Sequence, residues 1–288
     1  MFLLIGVAVV VVCVLGGFVA MGGRILVLVQ PFEAVIIVGS AIGAFIIGNP
    51  KWLLARVAKA LGQAIKGPAY TKEHYIELLS LLYQVLKLAK AKGMLALEPH
   101  VENPDESSIF ANFPYFHANH HAVTFVCDYL RMISLGTENA YELEALMDEE
   151  IETHHSEHSQ VASAIQTMAD GMPALGIVAA VLGVINTMGS ITEPPEVLGH
   201  MIGGALVGTF LGVLLSYGFI GPIGNTLKST YDAETKYLQC IKAALLAYVQ
   251  GYAPAVAVEF ARKALLTDVR PTFYEVEEAV SALPAAQT

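Results

Sequence analysis

Residues 171–191 read GMPALGIVAAVLGVINTMGSI, and residues 201–226 read MIGGALVGTFLGVLLSYGFIGPIGNT. Neither stretch contains Asp, Glu, Lys or Arg. A helix of about 20 residues crosses a hydrocarbon layer of roughly 30 Å, and a soluble core helix rarely needs so many consecutive apolar residues. The two stretches therefore predict two membrane-spanning helices.

Two further uncharged stretches lie near the amino terminus. Residues 2–21 carry no polar side chain except Cys13, and residues 34–49 follow Pro31 and Glu33. Hydrophobic residues make up 55% of the 288 residues and charged residues only 15%, which differs from the usage of soluble domains. The sequence predicts an all-α, polytopic membrane protein with four transmembrane helices and a helical cytoplasmic domain.

The distribution of basic residues predicts the orientation of the spans. Lysines and arginines follow the second and fourth spans, whereas only Arg24 lies on the opposite side. Both termini and the long loop are expected in the cytoplasm, with outer loops at about residues 22–33 and 192–200. The predicted organisation is spans 1 and 2 in residues 1–49, a cytoplasmic helical domain in 50–170, spans 3 and 4 in 171–226, and a cytoplasmic helical tail packing with that domain in 227–288.

The cytoplasmic parts show helical periodicity. Apolar residues recur at helical spacing from Tyr75 to Ala89, and Gly93 suits the end of that helix. Residues 123–135 and 141–151 predict further amphipathic helices, and Pro254 predicts the first turn of a helix in the tail.

Charge and residue content exclude several functions. A formal net charge of -10 argues against nucleic-acid binding, which needs a concentrated basic surface. The chain has no phosphate-binding loop, and we expect no catalytic residues, no cofactor and no metal. Histidines 117, 120, 121, 154, 155 and 158 nevertheless have spacings that could hold a metal, so a membrane metalloprotein is one alternative. Cys13, Cys127 and Cys240 have no CxxC spacing, and we interpret them as buried thiols.

The predicted spans carry small and polar residues at regular positions. Gly204, Gly208 and Gly212 recur every four residues on one face of the fourth span, which predicts close helix packing within the chain or against another helix. The spans lack the ionisable group that an ion carrier normally places in its path. Thr209, beside these glycines, is the strongest candidate for a polar role. Each hydroxyl in the spans, that of Thr209 included, could instead simply bond a carbonyl one turn earlier.

Several motifs, in order, resemble one family over nearly the whole chain. LEPHVENP at 97–104, MDEEIE at 147–152, PALGIV at 173–178, VGTFLG at 207–212 and GYAP at 251–254 are similar to those of flagellar stator A subunits, the MotA family. The resemblance implies an ion-channel-forming subunit at the bacterial inner membrane that couples proton flow to flagellar rotation. It also implies a homo-oligomeric ring, expected to be a pentamer, surrounded by membrane lipids.

The resemblance also implies partners and site residues. A single-span, peptidoglycan-binding B subunit would supply the aspartate that carries the ion, and the rotor switch protein FliG would receive the force. Lys90 and Glu98 match the family's rotor-contacting charges, with Lys90 where relatives often carry Arg. Pro173 and Pro222 match prolines that influence coupling, and Thr209 is expected to assist ion passage.

One position bears on the identity of the ion. Sodium-type relatives carry a threonine at the position that matches Ala180, where a hydroxyl can help replace the sodium hydration shell. Ala180 offers no such oxygen, so we expect the ion to be a proton. The nearest alternative is an energy-transducing channel resembling ExbB or TolQ, but such relatives typically have three spans and an external amino terminus.

Overall fold

The computed structural model describes residues 2–64, 70–137 and 139–283. All regular elements in these ranges are helical. The described chain contains four helices long and apolar enough to cross a membrane, which include Leu3–Ala20, Ile25–Gly48, Ala140–Met188 and Pro195–Val249. The predicted all-α fold with four transmembrane helices is therefore confirmed.

The amino-terminal region forms several consecutive helices. They are α1 (Phe2–Ala20), α2 (Ile25–Leu28), α3 (Pro31–Ala34), a π-helical turn (Val35–Gly39), α4 (Ser40–Gly48) and α5 (Lys51–Ala64). Part of the expected outer loop at residues 22–33 is helical, because it contains α2 and the start of α3. Pro31 is compatible with the helix because it occupies the first turn, where its missing N–H needs no partner.

The next helices begin after the undescribed residues 65–69. They are α6 (Lys72–Lys92), α7 (Glu98–Glu102), α8 (Pro114–His117) and α9 (His120–Ser134). Thr71 caps α6 at its start, and Gly93 follows its end with a φ of +84°, a conformation that side chains rarely adopt. The predicted end of this helix at Gly93 is confirmed.

The longest helix, α10 (Ala140–Met188), contains 49 residues. The sequence suggested a separate amphipathic helix at 141–151 and a span beginning at 171, but the helix is continuous through both. Pro173 lies inside it without ending it. A single proline removes one backbone hydrogen bond, and a long helix in a packed setting can tolerate that loss.

The fourth span continues into a further long helix. Here α11 (Pro195–Val213) leads through a π-helical segment (Leu214–Ile220) into α12 (Gly221–Val249). Pro195 begins α11, so the expected outer loop at 192–200 is helical from Pro195 onward. The chain ends with α13 (Pro254–Lys263) and α14 (Phe273–Ser281), so the helix start predicted at Pro254 is confirmed.

The chain divides into two compact units, Met1–Gly67 with Glu157–Thr230 and Pro68–Ser156 with Tyr231–Thr288. The core of the second unit contains the apolar face of α6, with Leu78, Leu79 and Leu82 fully buried. Burial of each such leucine contributes about 1.5–3 kcal/mol. Tyr70 stacks on Tyr237 with ring centroids 4.5 Å apart, which extends this core to α12.

The cysteines differ in their environment. Cys127 and Cys240 are buried in the second unit, and burial raises the pKa of the Cys127 thiol to about 12. Cys13 is exposed within this single chain, so its interpretation as a buried thiol was wrong. A residue of the first helix can face lipid or another chain, and an apolar sequence does not distinguish these environments from a core.

Candidate functional site

Helices α10 and α11 cross with their backbones in contact. A methyl group added at Gly212 would lie 2.7 Å from the carbonyl oxygen of Met172, and one added at Gly176 would lie 2.9 Å from that of Gly208. A real Cβ atom essentially never approaches so closely. These positions therefore require glycine for the observed approach of the two helices.

The crossing brings Ala180 next to the fourth span. A methyl group added at Gly208 would lie 3.0 Å from Cβ of Ala179 and 3.1 Å from the backbone nitrogen of Ala180. Thr209 is the residue that follows Gly208 on α11. One turn earlier, a methyl group at Gly204 would lie 2.9 Å from Nε2 of Gln30.

The hydroxyl groups of the spans behave in two ways. Thr187 donates to the carbonyl oxygen of Gly183 at 2.9 Å and is thereby satisfied within its own helix. Within the described residues, the hydroxyl of half-buried Thr209 has no hydrogen-bond partner. Ser216 is only 1% exposed, and its Oγ also has no partner there. Thr209 and Ser216 therefore keep a hydroxyl free for hydrogen bonding.

Pro222 follows a change in helix geometry. It is the second residue of α12, and Gly221 separates it from the π-helical segment Leu214–Ile220. The N–H of Gly221 donates to the carbonyl oxygen of Ser216, five residues earlier, which is the wide spacing of a π turn. The irregular backbone thus accommodates a residue that has no N–H to donate.

The two predicted rotor-contacting charges lie in the second unit. Lys90 is exposed in the last turn of α6, and Glu98 is exposed at the first position of α7. Gly93 and the 3-10 turn Met94–Leu97 connect these helices. Across the described part of the chain neither side chain forms an ion pair, so both charges are available to a partner.

An ion-pair network that the sequence did not predict lies beside Glu98. Arg131 Nε lies 2.7 Å from Glu102 Oε1, and its Nη1 lies 2.7 Å from Asp128 Oδ1. The hydrogen bond from Arg131 lowers the pKa of the Glu102 carboxyl group. Asp128 and Arg131 have the three-residue spacing of neighbours on a helix, which the sequence could have signalled. The pair with Glu102 joins distant segments and left no such pattern.

Several histidines of the second unit contact neighbouring side chains. The rings of His121 and His154 stack with centroids 3.9 Å apart, and burial lowers the pKa of His121. His155 Nδ1 lies 2.9 Å from the hydroxyl oxygen of Thr235. His117 Nε2 lies 3.5 Å from a carboxylate oxygen of Asp105.

Comparisons with known proteins give a consistent result. A family model described as Motility protein A N-terminal matches residues 4–93, and one described as the MotA/TolQ/ExbB proton channel family matches residues 118–240. The chain is 46% identical to Motility protein A of Salmonella typhimurium, over 98% of this chain and 96% of that one. It is also 46% identical to Motility protein A of Escherichia coli, over 100% and 98% of the two chains.

Solved structures share this fold. The flagellar MotAB stator complex from Bacillus subtilis matches with a TM-score of 0.74 and 27% identity, covering 92% of this chain and 94% of that one. The C. jejuni MotAB structure matches with a TM-score of 0.78 at 21% identity over 92% and 96% of the chains, which bears on the fold alone. These matches favour the stator over the ExbB-like and metalloprotein alternatives. The chain therefore belongs to the motility protein A family and is a stator subunit of the proton-driven flagellar motor.

Proposed function

We propose that several copies of this chain surround the transmembrane helices of a single-span, peptidoglycan-binding partner, and that the partner supplies the carboxylate that carries the proton. The observation that carries this proposal is the lack of any Asp, Glu, Lys or Arg in the four uncharged stretches of the sequence. A proton path normally contains a titratable acceptor, so that acceptor must come from another chain. The solved structures that match this fold are named MotAB, and this name indicates a second kind of subunit in each complex.

In this proposal Thr209 is a hydrogen-bonding neighbour of the path and does not bind the proton itself. Its unsatisfied hydroxyl beside the α10–α11 crossing supports this role. The side chain of Ala180 offers the proposed path no oxygen that could coordinate sodium, which agrees with a proton as the ion. Pro173 and Pro222 are proposed coupling positions, since each lies where the helix lacks one backbone hydrogen bond.

The second unit is the proposed rotor-contacting domain. Its exposed and unpaired Lys90 and Glu98 would meet opposite charges on the rotor switch protein FliG. We further propose a pentameric ring in the inner membrane, as the resemblance to stator A subunits implies. Both termini would lie in the cytoplasm, because basic residues follow the second and fourth spans. Neither catalysis nor a cofactor is part of this proposal, since the proton gradient provides the energy.

The test is proton flux into lipid vesicles that contain this chain alone, or this chain together with its partner. We expect flux only when both chains are present, and co-purification of the partner with this chain. Flux through this chain alone would contradict the argument from the missing carboxylate. Replacement of the partner's intramembrane aspartate by asparagine is the matched control and should abolish the flux.

A further inference from the structure

An apolar groove lies beside Glu98 in the second unit. Its volume is about 270 Å³. Leu97, Val101 and Leu130 in its floor belong to the buried core. The hydroxyl of Tyr248 lies 3.9 Å from the sulfur of Met94, which lines the groove. The groove is therefore preformed and rests on packed residues.

Two leucines at this groove are exposed to solvent. Leu95 is 78% exposed and Leu135 is 81% exposed. The N–H of Leu135 bonds to the carbonyl oxygens of Arg131 and Ile133, and Gly136 then turns the chain with a φ of +97°. The backbone around Leu135 is thus held in place. Apolar residues that flank a groove in this way mark a surface for protein contact.

The charges around the groove define the partner that it fits. Glu98, Glu102 and Arg131 line it. Arg131 already pairs with Glu102, whereas Glu98 has no ion pair in the part of the chain that the structure describes. The unbalanced charge is therefore negative. A complementary surface carries a cation next to an apolar side chain.

We propose that this groove receives a large apolar side chain from a helix of the rotor, and that a Lys or Arg of the same helix meets Glu98. The inference rests on the proposed rotor contact of this unit and adds an apolar anchor to it. Side chains three or four residues apart share one face of a helix, so a single helix can present both groups. The groove has room for one side chain of the size of leucine or phenylalanine.

The test combines replacements at the groove with a count of stators at working motors. The double variant Leu95→Ser with Leu135→Ser is expressed with its partner, and labelled stator units are counted at each motor together with stall torque. We expect about tenfold weaker engagement, as for truncation of a central interface side chain. Leu266→Ser replaces an exposed leucine of the same unit away from the groove and should leave engagement unchanged.

Two further measurements separate the possible outcomes. Proton flux through vesicles containing the double variant and its partner should equal that of the wild type, since the groove lies outside the spans. Normal engagement of the double variant, with loss of engagement by Glu98→Lys, would overturn the groove and leave the charged contact intact. Normal engagement by Glu98→Lys would overturn the proposed rotor contact itself.

A photo-cross-linking residue at position 135 identifies the occupant. In motile cells we expect an adduct with a rotor protein, at a helix that carries a basic residue within one turn of an apolar one. An adduct with a second copy of this chain or with lipid would overturn the proposal, and so would the absence of any adduct from motors that rotate.

Discussion

At the scale of residues, the charges of the second unit divide into paired and unpaired groups. Arg131 and Lys242 hold acidic partners at 2.6 to 2.7 Å, whereas Lys90 and Glu98 have no ionic partner within the described ranges. Exposed ion pairs contribute little to stability, so the loss of a free charge should cost even less. Substitutions at Lys90 and Glu98 should therefore act on partner contacts and not on folding.

Reversal of these charges provides the first prediction. Lys90→Glu and Glu98→Lys should each reduce motor torque several-fold, because like charges would then face each other at the rotor. Membrane insertion, co-purification of the partner and proton flux should remain normal. Swimming speed and tethered-cell rotation measure the effect, with exposed Lys263→Glu as the control. Normal rotation in a strain carrying both reversals would exclude these residues from the contact.

A second residue-scale prediction concerns stability at low pH. Lys72 Nζ lies 2.6 Å from Glu275 Oε1, and this bond with those from Thr272 lowers the pKa of Glu275 to about 2. The pKa of an unfolded glutamate is about 4.3, so the contribution is fully present above that pH and is lost as the pH falls toward 2. The Glu275→Gln variant should therefore lose less stability than the wild type between pH 4.3 and pH 2.

The measurement is unfolding of the purified stator across this pH range. Glu278→Gln makes the same change of charge on α14 at a position without an ion pair among the described residues, and it should retain the wild-type profile. If both variants follow the wild type, the Lys72–Glu275 pair does not contribute to stability in solution.

At the scale of elements, the α10–α11 crossing depends on glycine at a few positions. The added methyl group at Gly212 would collide with backbone atoms of Met172 and Gly176, while one at Gly203 meets nothing within 4 Å. Backbone atoms cannot move aside as the end of a flexible side chain can. The two glycines should therefore differ sharply in their tolerance of alanine.

This contrast gives the third prediction. Gly212→Ala should lower the free energy of unfolding by about 1–3 kcal/mol through overpacking. Gly203→Ala should be neutral or slightly stabilising, since alanine favours the helix by up to about 1 kcal/mol. Unfolding by SDS titration of the purified complex measures both. Equal stability of the two variants would mean that the crossing relaxes without cost.

Some features of these helices could be predicted from the sequence, and others could not. Lack of charge and the spacing of Gly204, Gly208 and Gly212 are local patterns, and they predicted four spans and close packing. The continuity of α10 through Pro173 could not be predicted, because tertiary packing decides whether one missing hydrogen bond ends a helix. The Glu102–Arg131 pair depends on how distant segments meet, which no spacing records.

At the scale of the whole molecule, the spans contain hydroxyls but no carboxylate or basic group in the four uncharged stretches. Selectivity must therefore come from the partner's acceptor and from the neutral side chains that surround it. A proton needs no coordination cage, whereas sodium needs oxygen ligands. Ala180, adjacent to the crossing, provides none through its side chain.

The fourth prediction follows for ion use. Cells that express this chain with its partner should swim without sodium and stop when a protonophore is added, because only the proton gradient provides energy. Swimming speed and intracellular pH are the measurements, with a sodium-driven stator as the control. Motility that requires sodium and survives the protonophore would contradict the proton assignment.

Membrane topology gives the fifth prediction. Reporter fusions after Lys66 and Thr288, both outside the described residues, should report the cytoplasm, and a fusion near Pro194 should report the periplasm. The excess of basic residues after the second and fourth spans is the reason. A carboxyl terminus found in the periplasm would contradict the proposed orientation.

The glycine and alanine contacts between α10 and α11 have a mechanical consequence. Branched or long side chains would interlock at the crossing. The helices could then rotate against each other only if these side chains changed rotamer over an energy barrier. Backbone contacts at the glycines fix the distance between the axes of α10 and α11, but they provide no side chains that interlock. The crossing can therefore act as a pivot. The angle between the two helices can change repeatedly in small steps without rearrangement of the side chains around it.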